Sequence, residues 1–242
     1  MTGSDLGGLW SRRLTVRGIV IDPVDVLVDL AAAEAALWSW HAARTGVDPV
    51  TAADVGRREP LDGALARLTG ATPAADDVAA TRDRRTALHR LARRRRGAAA
   101  LLRSIPAGRA AVWTTLTEEE LAALERRARL RLPEARRCAL PLDDTEGAAA
   151  FLDGLGAAPV EWLALESHPA GVARAARLGC RTVLVAPATG GADSRARSAA
   201  EAAGADLQVE DPALLSVTPD AAGLAVGVRR QARLLPGRRP QA

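Results

Sequence analysis

Lysine is missing from this chain: every one of its 33 basic residues is an arginine. Tyrosine is missing too, and aromatic residues make up only 2%. So few aromatics leave no platform on which single-stranded bases could stack. Arginine keeps its proton at any ordinary pH, so an all-arginine chain reaches an isoelectric point near 10.5 while its net charge is only +4. With alanine so abundant, this is a bias of composition and not a nucleic-acid face, and no nucleic-acid partner is expected. No apolar run is long enough to span a bilayer, and Met1 to Leu9 is small and polar, unlike a signal peptide. No membrane partner is expected, and the expected compartment is the cytoplasm. The two cysteines, Cys138 and Cys180, stand apart at the starts of expected strands. They read as buried thiols, not as a disulfide or a metal site.

What is present suffices for one sizeable core, or a core with a smaller insert: 242 residues, 48% of them hydrophobic. Short apolar runs at 16–21, 110–113, 137–140, 162–165, 181–185 and 205–209 read as strands. Helical patterns separate the later ones, at 118–130, 145–155, 169–178 and 194–203. Thr117 with Glu120 three residues on is a capping box, and Pro169 with Gly179 brackets a helix. Between the first two strands the pattern is helical only, at 31–44, 51–55, 60–68 and 75–95. The expected fold class is therefore α/β, a doubly wound parallel sheet, with an all-helical cap inserted at 31–103 after strand one. Residues 15–30 and 104–235 form the expected core. Residues 1–14 read as a loose arm and 236–242 as a disordered tail, while 214–228 follows neither period.

The first strand ends at Asp22, followed by Pro23-Val24-Asp25-Val26-Leu27-Val28-Asp29. A carboxylate at the carboxyl end of a parallel strand stands where open α/β sheets hold their ligands. The run resembles motif I of the haloacid dehalogenase (HAD) superfamily, Asp-x-Asp-Gly-x-Leu-x-Asp. Asp22, Leu27 and Asp29 are in register, and Val24 and Asp25 replace the second Asp and the Gly. Thr114 matches the motif II hydroxyl after strand two. Residues 166–179, from Glu166-Ser167 to Gly179, resemble motif IV and its helix in the phosphoglucomutase and sugar-phosphatase branch. That segment reads Glu-Asp-x-x-x-Gly-x-x-Ala-Ala-x-x-Ala-Gly. Val55-Gly56-Arg57-Arg58 resembles the cap segment that meets the substrate there.

The resemblance implies a HAD-like α/β core with a helical cap, and it implies a chemistry. Asp22 would be the nucleophile toward a small phosphate ester, with Thr114 as its motif II partner. Arg57, Arg58 and Thr115 would meet that phosphorylated substrate. Magnesium would be held by Asp22, the backbone carbonyl of Val24 and Glu166. Several parts are lacking. Val24 cannot carry a proton, and loss of a general acid/base typically costs ~10²–10⁴ in rate. Ser167 offers a neutral hydroxyl where a hard cation prefers a carboxylate. The motif III lysine should fall near Leu142, where Asp143 and Asp144 add negative charge instead. Pro23 removes a backbone N–H from the loop, and Asp25 adds a carboxylate. The expected protein is thus a HAD-like hydrolase of phosphatase or phosphomutase type, weakly active or inactive, with weakly held magnesium. The alternative is a non-catalytic relative that binds a small ligand or a protein. A dehalogenase ranks below both, because it too needs the missing basic residue. Plainer readings stand beside these: Asp22 as a strand-end acid, Glu166 as a surface acid, Arg57 and Arg58 as a solvated helix end, His168 as a loop histidine, and Arg93 to Arg96 as an exposed helix end. The sequence specifies no oligomeric state.

Overall fold

Strand β2 (Gly18–Ile21) is four residues long and buried throughout. Both its neighbours are parallel strands and both its faces are covered, which is where continuous β-branched runs belong. On one side lies β5 (Ala110–Thr114), with Ile21 opposite Val112. On the other lies β7 (Trp162–Glu166), with Ile21 opposite Leu165. Beyond β5 comes β6 (Arg137–Ala139), and beyond β7 come β8 (Arg181–Val185) and β9 (Leu207–Val209). These six parallel strands, in the order β9-β8-β7-β2-β5-β6, form a doubly wound sheet with β2 central. A two-residue antiparallel strand, β12 (Arg233–Leu234), borders β9. The structure, a computed structural model, describes residues 10–133, 136–142, 144–186, 203–229 and 233–234. The expected tail at 236–242, and all but the last residue of the expected helix at 194–203, lie outside them.

Strand alternation divides the core into two layers. Val20, Ala111, Trp113, Trp162 and Ala164 pack on one face, under α7 (Thr145–Gly154) and α8 (Pro169–Leu178). Ile19, Ile21, Val112, Leu163 and Leu165 pack on the other, in the larger cluster that includes α6 (Glu118–Ala128). Gly18 is required where it stands, since a Cβ there would lie 2.4 Å from the Trp162 ring. The capping box at the start of α6 forms, with Thr117 accepting from the Glu120 N–H and the Glu120 carboxylate accepting from Thr117.

The insertion supplies α1 (Ala31–Thr45), α2 (Pro49–Arg58), α3 (Leu61–Thr69) and α4 (Ala75–Leu88). Leu37, Trp38, Ala52, Leu61 and Leu65 are buried among them. α2 lies so close to α1 that a Cβ on Gly56 would stand 2.0 Å from the Trp38 indole.

Two readings change. The insertion is not helical to residue 103. Its helices give way after a short 3-10 turn at His89–Leu91, and β4 (Arg93–Arg94) pairs antiparallel with β3 (Val28–Asp29). The next helix, α5 (Ala98–Ser104), packs on the core, where the Gly97 backbone at φ 78° meets Ala213 too closely for any side chain. The arm also orders earlier than expected. β1 (Trp10–Val16) pairs with β11 (Gly223–Arg229), which turns back on β10 (Leu215–Asp220), giving a three-stranded antiparallel sheet. Val217, Leu224, Val226 and Val228 alternate inward, and all are buried. Ends of the chain some 200 residues apart form this sheet, so no local period announces it.

Candidate active site

The turn after β2 carries the first site residue. The Asp22 side chain, 4% exposed, accepts the Val24 N–H at 3.0 Å, and its own N–H donates to the Leu165 carbonyl at 3.0 Å. Asp25 has φ 56°, in the left-handed region. Aspartate tolerates that conformation better than most residues, so Asp25 makes the bend that the motif assigns to glycine. Its carboxylate accepts the Leu30 N–H at 2.8 Å. Arg95 braces the same turn, donating at 2.5 Å to the carbonyls of Asp25 and Glu210. The run Arg93 to Arg96, read as an exposed helix end, is therefore split: Arg93, Arg94 and Arg96 are exposed, and half-buried Arg95 is structural.

A narrow cleft of about 50 Å³ opens over this turn. Asp22, Val24, Asp25, Thr115, Leu116, Leu142, Ser167 and His168 line it from the core, and Glu34, Gly56, Arg57 and Arg85 from the cap. The sequence's candidates thus divide. Asp22, Val24, Arg57 and Thr115 meet at the cleft; Thr114, Arg58 and Glu166 are not in its walls. The Thr114 hydroxyl is buried and accepts the Leu116 N–H at 3.2 Å. The Arg58 side chain pairs with Asp54 at 3.0 Å on the surface, while its carbonyl accepts the Leu142 N–H at 2.7 Å, tying cap to core. Leu142, where the motif would have lysine, is buried and apolar.

Glu166 is fully buried in an ion pair the sequence reading missed. Arg174 of α8, also fully buried, donates to its Oε1 at 3.3 Å. Another guanidinium nitrogen donates to the Pro141 carbonyl at 2.8 Å, and the head group stacks on the Trp113 ring, 4.3 Å from its centre. A signal was present. Arg174 stands at the first alanine of the motif IV helix pattern, three residues beyond Gly171 on the face turned to the sheet. A large charged residue at a small packed position calls for a buried partner.

The second buried arginine was not legible. Arg85 of α4 donates to both Glu34 oxygens, at 3.1 and 3.2 Å, and to Glu120 at 3.4 Å. Glu34 also accepts the Trp38 indole N–H at 2.8 Å. Two cap helices and core helix α6 are joined by this one head group. Nothing in the sequence distinguishes Arg85 from the other 32 arginines.

Charges in the cleft are shifted by burial. Burial first, and repulsion from Glu166 second, hold the Asp22 carboxyl well above the usual range. Burial also raises Asp25, with Arg57 pulling it back. His168 is pushed down to about 4 by burial and by Arg58 and Arg57. It is therefore neutral at physiological pH, and its Nδ1 already accepts the Ala170 N–H at 3.1 Å.

The donor set does not fit a magnesium ion. Magnesium asks for near-octahedral oxygen coordination with carboxylates among the ligands. Glu166 already binds a cation, Arg174. Its other oxygen lies against α8, where a Cβ on Gly171 would stand 2.1 Å away. That leaves Asp22 and the Val24 carbonyl, beside the neutral Ser167. Among the described residues no group of three or more His, Cys, Asp or Glu side chains is arranged for a metal.

No family model and no curated sequence matches the chain. Solved structures do. CbbY from Rhodobacter sphaeroides, in complex with phosphate, superposes with TM-score 0.61 at 18% identity, over 82% of this chain and 96% of that one. A phosphoglucomutase-like protein from Thermotoga maritima gives 0.58 at 17%, over 81% and 95%. A HAD family hydrolase from Deinococcus radiodurans, with bound phosphate and sodium, gives 0.55 at 19%, over 82% and 92%. The chain has the fold of the HAD superfamily. It shares that fold with the CbbY and phosphoglucomutase-like structures, and in this chain the helices α1 to α4 follow the central strand β2.

Proposed function

We propose that this chain keeps the HAD fold and its cap-covered cleft but is a weak or inactive phosphatase-type hydrolase, whose cleft holds a small polar ligand. One observation carries the reading: among the described residues, the acid/base position beside Asp22 holds Val24 and no uncommitted buried cation lines the cleft. Val24 occupies the acid/base position. His168 cannot replace it as an acid, because with a pKa of about 4 it has no proton to give at neutral pH. Arg174 is sealed under α8 and absent from the cleft wall, so it cannot touch a phosphoryl group. Arg85 is committed to two carboxylates. Arg57 is the remaining cation, facing Asp22, Asp25 and Glu34, and such a wall does not favour a dianionic ester.

The competing reading is a working phosphatase or phosphomutase acting through Asp22. Its support is the placement of Asp22 at the carboxyl end of the central strand, opposite Thr115 and Arg57. Magnesium belongs to that reading and not to ours. No helix among the described residues is long and apolar enough to cross a membrane. The test is steady-state hydrolysis of a panel of sugar phosphates, with and without magnesium, by wild type and Asp22→Asn. We expect no difference between the two proteins. Wild-type turnover above ~1 s⁻¹, in the ordinary enzyme range, that is lost in Asp22→Asn would establish the competing reading.

A further inference from the structure

We propose that Arg174 is a built-in replacement for a divalent cation, so that this end of the sheet is charge-balanced without metal. The geometry has three parts. The Arg174 guanidinium pairs with Glu166 at 3.3 Å, and Glu166 is the one carboxylate the chain keeps at the end of β7. The same head group reaches the Pro141 carbonyl at 2.8 Å, one residue before Leu142, at the end of β6 where the motif would have its lysine. Trp113 of β5 closes the third side at 4.3 Å. One fixed cation thus spans the ends of three neighbouring elements and also acts on Asp22 through space. Both partners are fully buried. A buried ion pair excludes further ions, because an added divalent charge would have to strip Glu166 from Arg174 where both are shut off from solvent.

The substitutions along the chain agree with this. With an internal cation on Glu166, a second carboxylate at 167 serves no purpose, and serine stands there. A lysine at 142 would add unbalanced positive charge next to Arg174, and leucine stands there. Gly171 is needed because its missing Cβ leaves room for the Glu166 carboxylate beneath α8. Arg174 is a positioning residue: it sets the charge and orientation of Glu166 and touches nothing in the cleft.

The inference is independent of the proposed function except in where it places Asp22. Its readout is the response of the fold to metal, not turnover, so the two can fail separately. The experiment compares thermal unfolding of the full chain in EDTA and in 10 mM magnesium or manganese chloride, at matched ionic strength. The proteins are wild type, Arg174→Met, and Arg174→Met/Glu166→Gln. Wild type should shift by less than about 1 °C. Arg174→Met leaves Glu166 without its counter-ion and Asp22 without the cation acting on it through space, and should gain a metal-dependent rise of about 4 °C or more, the linkage expected of a ligand that binds only the folded state. The double variant removes both charges, so it serves as the folding control and should be metal-insensitive. A wild-type rise that Asp22→Asn abolishes would overturn the proposal. So would a folded Arg174→Met with no metal response, or a double variant that keeps one. Should Arg174→Met fold only when magnesium is supplied, the proposal stands.

Discussion

Among the described residues two arginines are fully buried, and they solve different problems. Arg85 lies on the seam between cap and core, with two carboxylates, Glu34 and Glu120, from different helices. Arg174 lies inside the core with one carboxylate, one carbonyl and one aromatic face. The first cluster carries one negative charge in excess and reaches the cleft through Arg85 and Glu34. The second is neutral and sealed. Each is also permitted by a glycine: Gly56 lets α2 close on Trp38, which holds Glu34, and Gly171 lets α8 close on Glu166. A buried guanidinium thus acts as a rivet between cap and core when its partners come from both, and as a fixed counter-ion when they come from one layer.

The largest expected effect separates the two clusters by removal of their cations. Arg85→Met leaves two buried carboxylates without their counter-ion and unties cap from core, a loss of about 4–5 kcal/mol; Arg174→Met leaves one and costs about 3 kcal/mol. Denaturant unfolding measures both. Equal losses, or a larger one at Arg174, would break the distinction between rivet and counter-ion.

A smaller effect is expected from the glycines. Gly56→Ala and Gly171→Ala each force a methyl into an occupied position and should cost about 1–3 kcal/mol. Gly56→Ala should in addition raise hydrogen exchange in the cap helices alone, because the clash is between α1 and α2. Protection lost in core strands as well would show that the cap and core do not open separately.

The smallest effect concerns pH. The His168 pKa is about 4 in the folded protein, against an ordinary value of 6.5. Between those values the unfolded chain binds the proton and the folded one does not, so stability falls as pH drops from about 6.5 toward 4, and is fully present above that window. His168→Gln should flatten this slope by roughly 1–2 kcal/mol in total. Asp22 has the opposite sign, since its raised pKa favours the folded state in acid and that contribution is lost as pH rises. If the His168→Gln curve follows wild type across the window, the depressed histidine is not real.

Much of this was legible because it is local. Asp22 at the end of a β-branched run, the capping box at Thr117 and Glu120, and Pro169 with Gly179 are statements about neighbours in the chain, and each keeps its meaning whatever the chain packs against. Thr114 and Thr115 were separable only in three dimensions. They are adjacent, but strand alternation turns one into the core and the other into the cleft, and a shift of one residue in register would exchange them. The β1-β11-β10 sheet joins segments from opposite ends of the chain, and its middle strand, buried at every position from 224 to 228, shows no alternation that would mark it. Asp25 shows a further limit. As a departure from glycine it reads as a loss, yet its left-handed backbone preserves the turn.

By itself the sequence determined the fold class, the chain order of the parallel strands in the central sheet, and which side chains of the resembled motifs are absent, because an absent side chain stays absent in any conformation. It also determined that every cation would be an arginine. Tertiary structure alone decided which of those 33 arginines matter. Burial is a property of packing, and the worth of a charge changes many-fold between solvent and core. In the sequence Arg58, Arg85, Arg95 and Arg174 are the same residue. In the fold the first pairs on the surface, the second joins cap to core, the third braces the Asp25 turn, and the fourth neutralises Glu166.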